Sequence, residues 1–295
     1  MARNLLRRDF LAGAASAASI VGVGSVFAQA PARRRDIRKT LKLSMIPREL
    51  PIEERFSIAA RAGFHAVEPD TIFEAEELES VKAAAGKAGV VVDGIICSRH
   101  WSHPLSDPDP KVVDVCMEAM RVSLANAREL GGDMVLLVPA VVKPEVMYRD
   151  AYARSLARVK ELAREAEAQK ITIGIENVWN KFLLSPIEFR RYIEEVGSPF
   201  VRAWFDVGNI VLYGYPQDWI RTLSEQIARV DVKDFDANKR EFVPLRQGSV
   251  DWPEVMRAFD EIGYRGYFAA EVRGGDLQYL TEVVSRPMDL IIAEA

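Results

Sequence analysis

The chain has 295 residues, 49% hydrophobic and 28% charged, the composition of an ordinary water-soluble protein with one large domain or two small ones. A net charge of −4 leaves no basic footprint, which excludes nucleic acid as a main partner and disfavours anionic membrane surfaces. Two cysteines, Cys97 and Cys116, are too few for a disulfide framework, and buried free thiols are the default expectation, with a single bridge as the alternative.

Taken in chain order, residues 1–30 differ from the rest. Arg7 and Arg8 directly precede an Ala- and Gly-rich apolar run that closes on Ala28-Gln29-Ala30, an A-x-A cleavage pattern. This resembles a twin-arginine signal peptide. The resemblance implies recognition by the Tat export machinery, removal of residues 1–30 and a periplasmic or otherwise exported mature chain, residues 31–295. A membrane anchor is the rival reading, weakened by the small residues and marginal length of the run. A Gly22-x-Gly24 pair lies here with no strand before it, so it is not a dinucleotide loop.

After the basic connector PARRRDIRKT, short apolar runs alternate with helix-period segments. LKLSMI (41–46) reads as a strand, IEERFSIAARAG as a helix, HAVEP as a strand and EELESVKAAAGKAG as a helix. VVVDGIIC (90–97) then leads to a helix from about 111 to 130, and DMVLLVP (133–139) to a helix ending near 169. ITIGIE, VRAWFD, IARVDVK and GYFAAE are four more strands, each followed by a helical segment. Several helices end at glycine, as a left-handed C-cap requires. Eight strands strictly alternating with eight helices predict an α/β fold, a (β/α)8 TIM barrel forming one domain, rather than an open doubly wound sheet.

In such a barrel, chemistry collects at the C-terminal ends of the strands. Four late strands carry an acid there: Glu176 in GIENVWN, Asp206 in WFDVGN, Asp231 in RVDVKDF and Glu271 in FAAEVRGG. Brought together, four carboxylates repel, and a divalent cation with oxygen ligands satisfies them; Mn2+, Mg2+ and Co2+ suit such donors better than thiolate-seeking metals. A lone acid at a strand end is more often a helix N-cap or an ion-pair partner, and a structural Asp231–Lys233 pair stays open.

The stretches IENVWNKFLLSP, FDVGN, VDVKDF and QGSVDWPEV ahead of GYRGYFAAEV carry a resemblance to the xylose isomerase-like barrels, which include tagatose, psicose and xylulose-phosphate 3-epimerases. That resemblance implies a metal, Mn2+ first among the three, held by Glu176, Asp206, Asp231 and Glu271, with Glu176 and Glu271 also acting as acid and base. Asp231 stands where the family usually has histidine, which leaves open an all-carboxylate centre or one in which Asp231 only supports three ligands. His100 in SRHWSHP matches a substrate-contacting histidine of the xylulose-phosphate branch. Trp101 and Trp179 are candidate sugar-stacking faces, Glu68 and Lys233 candidate hydroxyl-orienting groups, and Arg246 and Arg273 candidate phosphate contacts, though an exported enzyme argues for a non-phosphorylated sugar. His65, between a helix and a strand, reads as structural.

The implied activity is sugar isomerisation or epimerisation by proton abstraction next to a carbonyl. Elimination or hydrolysis of a 3-keto-glycoside starts identically and stays open, as does a sugar-binding barrel without catalysis. The histidine-rich three-zinc DNA-repair nucleases are excluded, since only three histidines occur and none lies after residue 103. The resemblance also allows a homodimer.

Overall fold

In the computed structural model, residues 35–294 are described; the export segment expected at residues 1–30 lies outside them. Strands at Ile37–Lys42, Ala66–Glu68, Met134–Leu137, Thr172–Glu176, Val201–Asp206, Ile227–Val232 and Gly266–Ala270 supply seven staves. The remaining one, third in the chain, is interrupted at Asp93. Its first half, Val91–Val92, pairs with the second strand and its second half, Gly94–Ile96, with the fourth. First and eighth strands also pair in parallel, Leu41 opposite Ala270. The sheet therefore returns to the strand on which it began, and the predicted eight-stave barrel closes.

Helices follow each stave, among them Ile52–Arg61, Ala75–Ala88, Pro110–Leu130, Tyr148–Gln169, Pro186–Val196, Pro216–Leu223 and Trp252–Glu261, and the main apolar core lies between them and the outer barrel face. Three of them stop at Gly89, Gly131 and Gly197 with positive φ, the left-handed caps expected. The last helical run, 277–292, widens to a π segment at Leu280–Ser285 just ahead of Pro287, whose missing N–H interrupts the hydrogen-bond ladder. One addition to the simple alternation is a hairpin, Asp234–Asp236 with Glu241–Val243, laid over the mouth after the seventh strand.

The first strand corrects the sequence reading. It occupies 37–42, beginning inside the supposed basic connector and sharing only 41–42 with the predicted strand, while Leu43–Met45 is a 3-10 turn. Its lysines hid it, because both are buried and paired: Lys39 Nζ meets Ser285 Oγ at 2.7 Å and Asp289 at 2.6 Å, and Lys42 points into the barrel.

The barrel interior is charged where such barrels are usually filled by branched apolar side chains. Arg229 pairs with Asp93, which also accepts from Thr40 Oγ1 at 2.8 Å. Above this lies the Trp204 ring, with Lys42 Nζ 4.6 Å and Arg229 Cζ 5.4 Å from its centroid. Gly174 makes room for the indole: a Cβ there would stand 2.8 Å from Trp204 Cε3.

Candidate active site and metal centre

Each of the four acids ends a stave or immediately follows it. Glu176 and Asp206 are the last residues of the fifth and sixth strands, Asp231 is the penultimate residue of the seventh, and Glu271 follows the eighth. Register brings them level, with Asp206 opposite Asp231 and Asp231 opposite Ala269. One carboxylate oxygen from each lies within 4.8 Å of the others.

The local sequence explains their aim. Asp206 uses Oδ1 to accept from Asn209 N at 2.7 Å, capping the turn Val207–Ile210, and turns Oδ2 toward the cluster. It is thus an N-cap and a candidate ligand at once, one oxygen for each. Asn177 clamps the same point by donating Nδ2 to Asp206 O at 2.8 Å and accepting from Asp206 N at 2.9 Å. Gly208 must be glycine, since a Cβ would sit 2.8 Å from Lys233 O. After the seventh strand, Asp234 accepts from Gly248 N, Val250 N and Trp252 Nε1, which explains the QGSVDWPEV tract as a loop folded back onto a buried carboxylate.

Two lysines face the acids. Lys42, 3% exposed, meets Asp231 Oδ1 and Glu68 Oε2, each at 2.9 Å. Lys233 meets Asp206 Oδ2 at 3.0 Å and Glu271 Oε2 at 2.8 Å, so the Asp231–Lys233 pair left open by the sequence does not form. Asp206 Oδ2, Asp231 Oδ2 and Glu271 Oε2 are buried without a well-formed hydrogen bond. Carboxylate oxygens converging from three staves, of which Asp206 Oδ2 and Glu271 Oε2 have only the Lys233 ammonium and Asp231 Oδ2 has no hydrogen bond, form with Glu176 beside them a donor set that fits a hard divalent cation.

Electrostatics separate the acids. Burial, aggravated by Glu271 and Asp231, pushes Glu176 well above the usual carboxylate range. Burial raises Asp206 and Asp231 to about 7 each, with Lys233 and Lys42 respectively opposing it. Burial acts on Glu271 too, but Lys233 and Lys42 outweigh it and hold that carboxyl at about 2. Burial therefore favours the protonated form of Glu176, and the two ammonium groups favour the ionised form of Glu271.

Glu176 and Glu271 open onto a cup of about 550 Å³, which Lys42, His100, Trp101 and Arg48 also line, while Asp206 and Asp231 are fully buried beneath it. His100 Nδ1 accepts from Val138 N at 3.1 Å, so the neutral ring carries its proton on Nε2. Burial lowers this imidazole to about 3 and keeps it neutral. Trp101 is 47% exposed at the mouth.

Three expected substrate contacts are placed elsewhere. Glu68 is fully buried below the cup and neutralises Lys42. Arg246 sits in a left-handed turn, φ 67°, and pairs with Glu294 at 2.9 Å without lining the cup. Trp179 donates Nε1 to Asn209 O at 2.9 Å and stacks on Phe242, with ring centroids 4.9 Å apart, beside the cup rather than in it. His65 is structural as expected, accepting from Lys39 N, and Cys97 and Cys116 are buried free thiols. The reading from sequence missed Lys42, Asn177 and Asn209. Lys42 ends its stave just as the acids do, and a correct boundary for the first strand would have exposed it by the same logic.

The fold and this centre define an α/β barrel with a cluster of four carboxylates at the C-terminal ends of its strands. The sequence pattern of the xylose isomerase-like TIM barrels matches residues 56–290, and the chain belongs to that family. Over 252 residues it is 25% identical to the putative L-ribulose-5-phosphate 3-epimerase SgbU of Escherichia coli, spanning 77% of this chain and 85% of that one. It superposes on D-allulose 3-epimerase from Methylomonas, solved with D-allulose, with a TM-score of 0.73 at 16% identity, covering 89% of this chain and 98% of that one. On 3-keto-D-glucoside 4-epimerase from Escherichia coli the TM-score is 0.72 at 15% identity, covering 88% and 99%. At these identities the superpositions speak for the fold.

Proposed function

We propose that the chain is a metal-dependent sugar epimerase or isomerase acting on a non-phosphorylated ketose or keto-sugar. The observation that carries this is the set of four carboxylates within 4.8 Å, two of which open on a ligand-sized cup. The epimerase names of the relatives support the reaction class, while the Escherichia coli relative is named for a phosphorylated sugar and the Methylomonas one for a free ketose. Glu176, Asp206, Asp231 and Glu271 would hold the cation, Mn2+ before Mg2+ or Co2+. When bound, it supplies Lewis-acid polarisation of the carbonyl and of an adjacent hydroxyl.

The protein's own groups then have distinct tasks. Ionised Glu271 takes the proton from the carbon next to the carbonyl, and the electron pair moves onto the carbonyl oxygen to give an enediolate. Lys233, poised between Asp206 and Glu271, balances that negative charge. His100 donates Nε2–H to a sugar oxygen. Glu176, ionised when it holds the cation, would take up a proton from solvent and return it to the opposite face for epimerisation, while the proton on Glu271 leaves to solvent; return to the neighbouring carbon gives the aldose–ketose isomer.

The test is incubation of Mn2+-loaded protein with D-fructose, D-tagatose, D-psicose and D-sorbose in D2O. The expected result is deuterium at a carbon next to the carbonyl, with a new sugar formed. Sugar binding without deuterium at any carbon would reduce the protein to a binder.

A further inference from the structure

We propose that the cup has a second compartment shaped for a glycosyl substituent, so that the substrate is a glycosylated ketose or keto-sugar rather than a free monosaccharide. This rests on the reading of the cup given above and names its substrate class.

The two compartments meet at Glu271. On one side is the main cup. On the other is a cavity of about 300 Å³ lined by Lys233, Phe242, Pro244, Arg273 and Tyr279, with Glu271 and Val272 common to both. The divider is the turn after the eighth strand. Gly274 borders the cup and is pressed so tightly on the first strand's turn that a Cβ would stand 1.8 Å from Met45 O. Gly275 N donates to that same carbonyl at 3.0 Å, and a Cβ on Gly275 would meet the Tyr279 ring at 2.9 Å. The backbone at Gly274 and Gly275 is thus held against Met45 and Tyr279, and Glu271 and Val272 face both spaces.

The lining selects the occupant. Phe242, brought over the mouth by the hairpin, is 45% exposed, with its ring stacked on Trp179 and Lys233 Nζ 4.9 Å from its centroid, so its exposed edge is what faces the cavity. With Tyr279, Val272 and Pro244 it offers an apolar, aromatic shelf of the kind that takes the C–H face of a sugar ring. The Lys233 ammonium is already engaged by Asp206 and Glu271 and does not call for an anion. Arg273 is exposed and shows no ion pair among the described residues, a donor for sugar hydroxyls at the rim. At the lower end of ligand-sized cavities, roughly 300–1,000 Å³, the space suits one further ring.

The test is calorimetric binding to the full chain with Mn2+ present. The probes are D-fructose, four glucosyl-fructoses that differ in linkage (turanose, maltulose, leucrose and palatinose) and D-ribulose 5-phosphate. At least one glucosyl-fructose is expected to bind about tenfold tighter than D-fructose, equivalent to about 1.4 kcal/mol. Phe242→Ala should collapse that preference toward unity, and Phe242→Tyr should keep it, separating a lost shelf from a disturbed hairpin. D-fructose binding with no glucosyl-fructose preferred, or a preference that survives Phe242→Ala, overturns the second compartment and leaves the epimerase reading standing. Tightest binding of D-ribulose 5-phosphate, lost in Arg273→Ala, overturns it in favour of an anion site. If no sugar binds and none exchanges deuterium, both readings fall together.

Discussion

Replacing Lys42 by methionine removes one ammonium that two buried carboxylates share. Lys42 Nζ lies 2.9 Å from both Asp231 Oδ1 and Glu68 Oε2, and neither acid has solvent exposure. Methionine fills similar volume, so the loss is electrostatic rather than a cavity. Breaking a buried ion pair by removing one partner costs about 3–5 kcal/mol. Glu68 and Asp231 stand at about 7 because burial raises them further than Lys42 lowers them, and without Lys42 they rise again. A carboxyl whose folded pKa exceeds its unfolded value, near 4, stabilises the fold below that value and loses the contribution as pH rises through the folded one. The deficit of Lys42→Met should therefore be larger at pH 8 than at pH 5, and adding Glu68→Gln should recover part of it. Urea titration of metal-free protein at both pH values reads the difference from the midpoint at constant slope. A loss below about 1 kcal/mol, or an equal loss at both pH values, would refute the shared-ammonium argument.

Other consequences are measurable on the same protein. Glu176→Gln and Glu271→Gln should each slow deuterium exchange by about 10²–10⁴-fold with the fold intact by circular dichroism, and rates near wild type would remove them from the chemistry. Mn2+ affinity should climb between pH 6 and pH 8, because a cation must displace protons from Glu176, held well above the usual range, and from Asp206 and Asp231 near 7. Calorimetry in buffers of different ionisation enthalpy should detect that proton release, and a pH-independent affinity contradicts it. Gly174→Ala drives a methyl to 2.8 Å from Trp204 and should cost about 1–3 kcal/mol. Gly86→Ala, in a helix with nothing within 4 Å, should instead stabilise by up to about 1 kcal/mol, so equal melting shifts for the pair would remove the steric explanation.

The alternation of strand and helix, the glycine caps and the four acids at strand ends were legible in the chain alone, because two- and 3.6-residue periods and turn chemistry are local properties. The lysine-rich first strand was not, since a buried lysine looks like a solvated one until its partner is known. Asp231 finds Lys42 at a sequence separation of 189 residues, and Lys233 chooses Asp206 and Glu271 over the acid two positions away. Glu68, Arg246 and Trp179 were drawn off by Lys42, Glu294 and Phe242 respectively. Sequence by itself determined which residues carry charge and that the staves bring their ends to one mouth. Which charges meet, and which remain open to a cation or a sugar, was decided by closure and register of the barrel, because pairing in a low-dielectric interior depends on ångström-scale distances between residues remote in the chain.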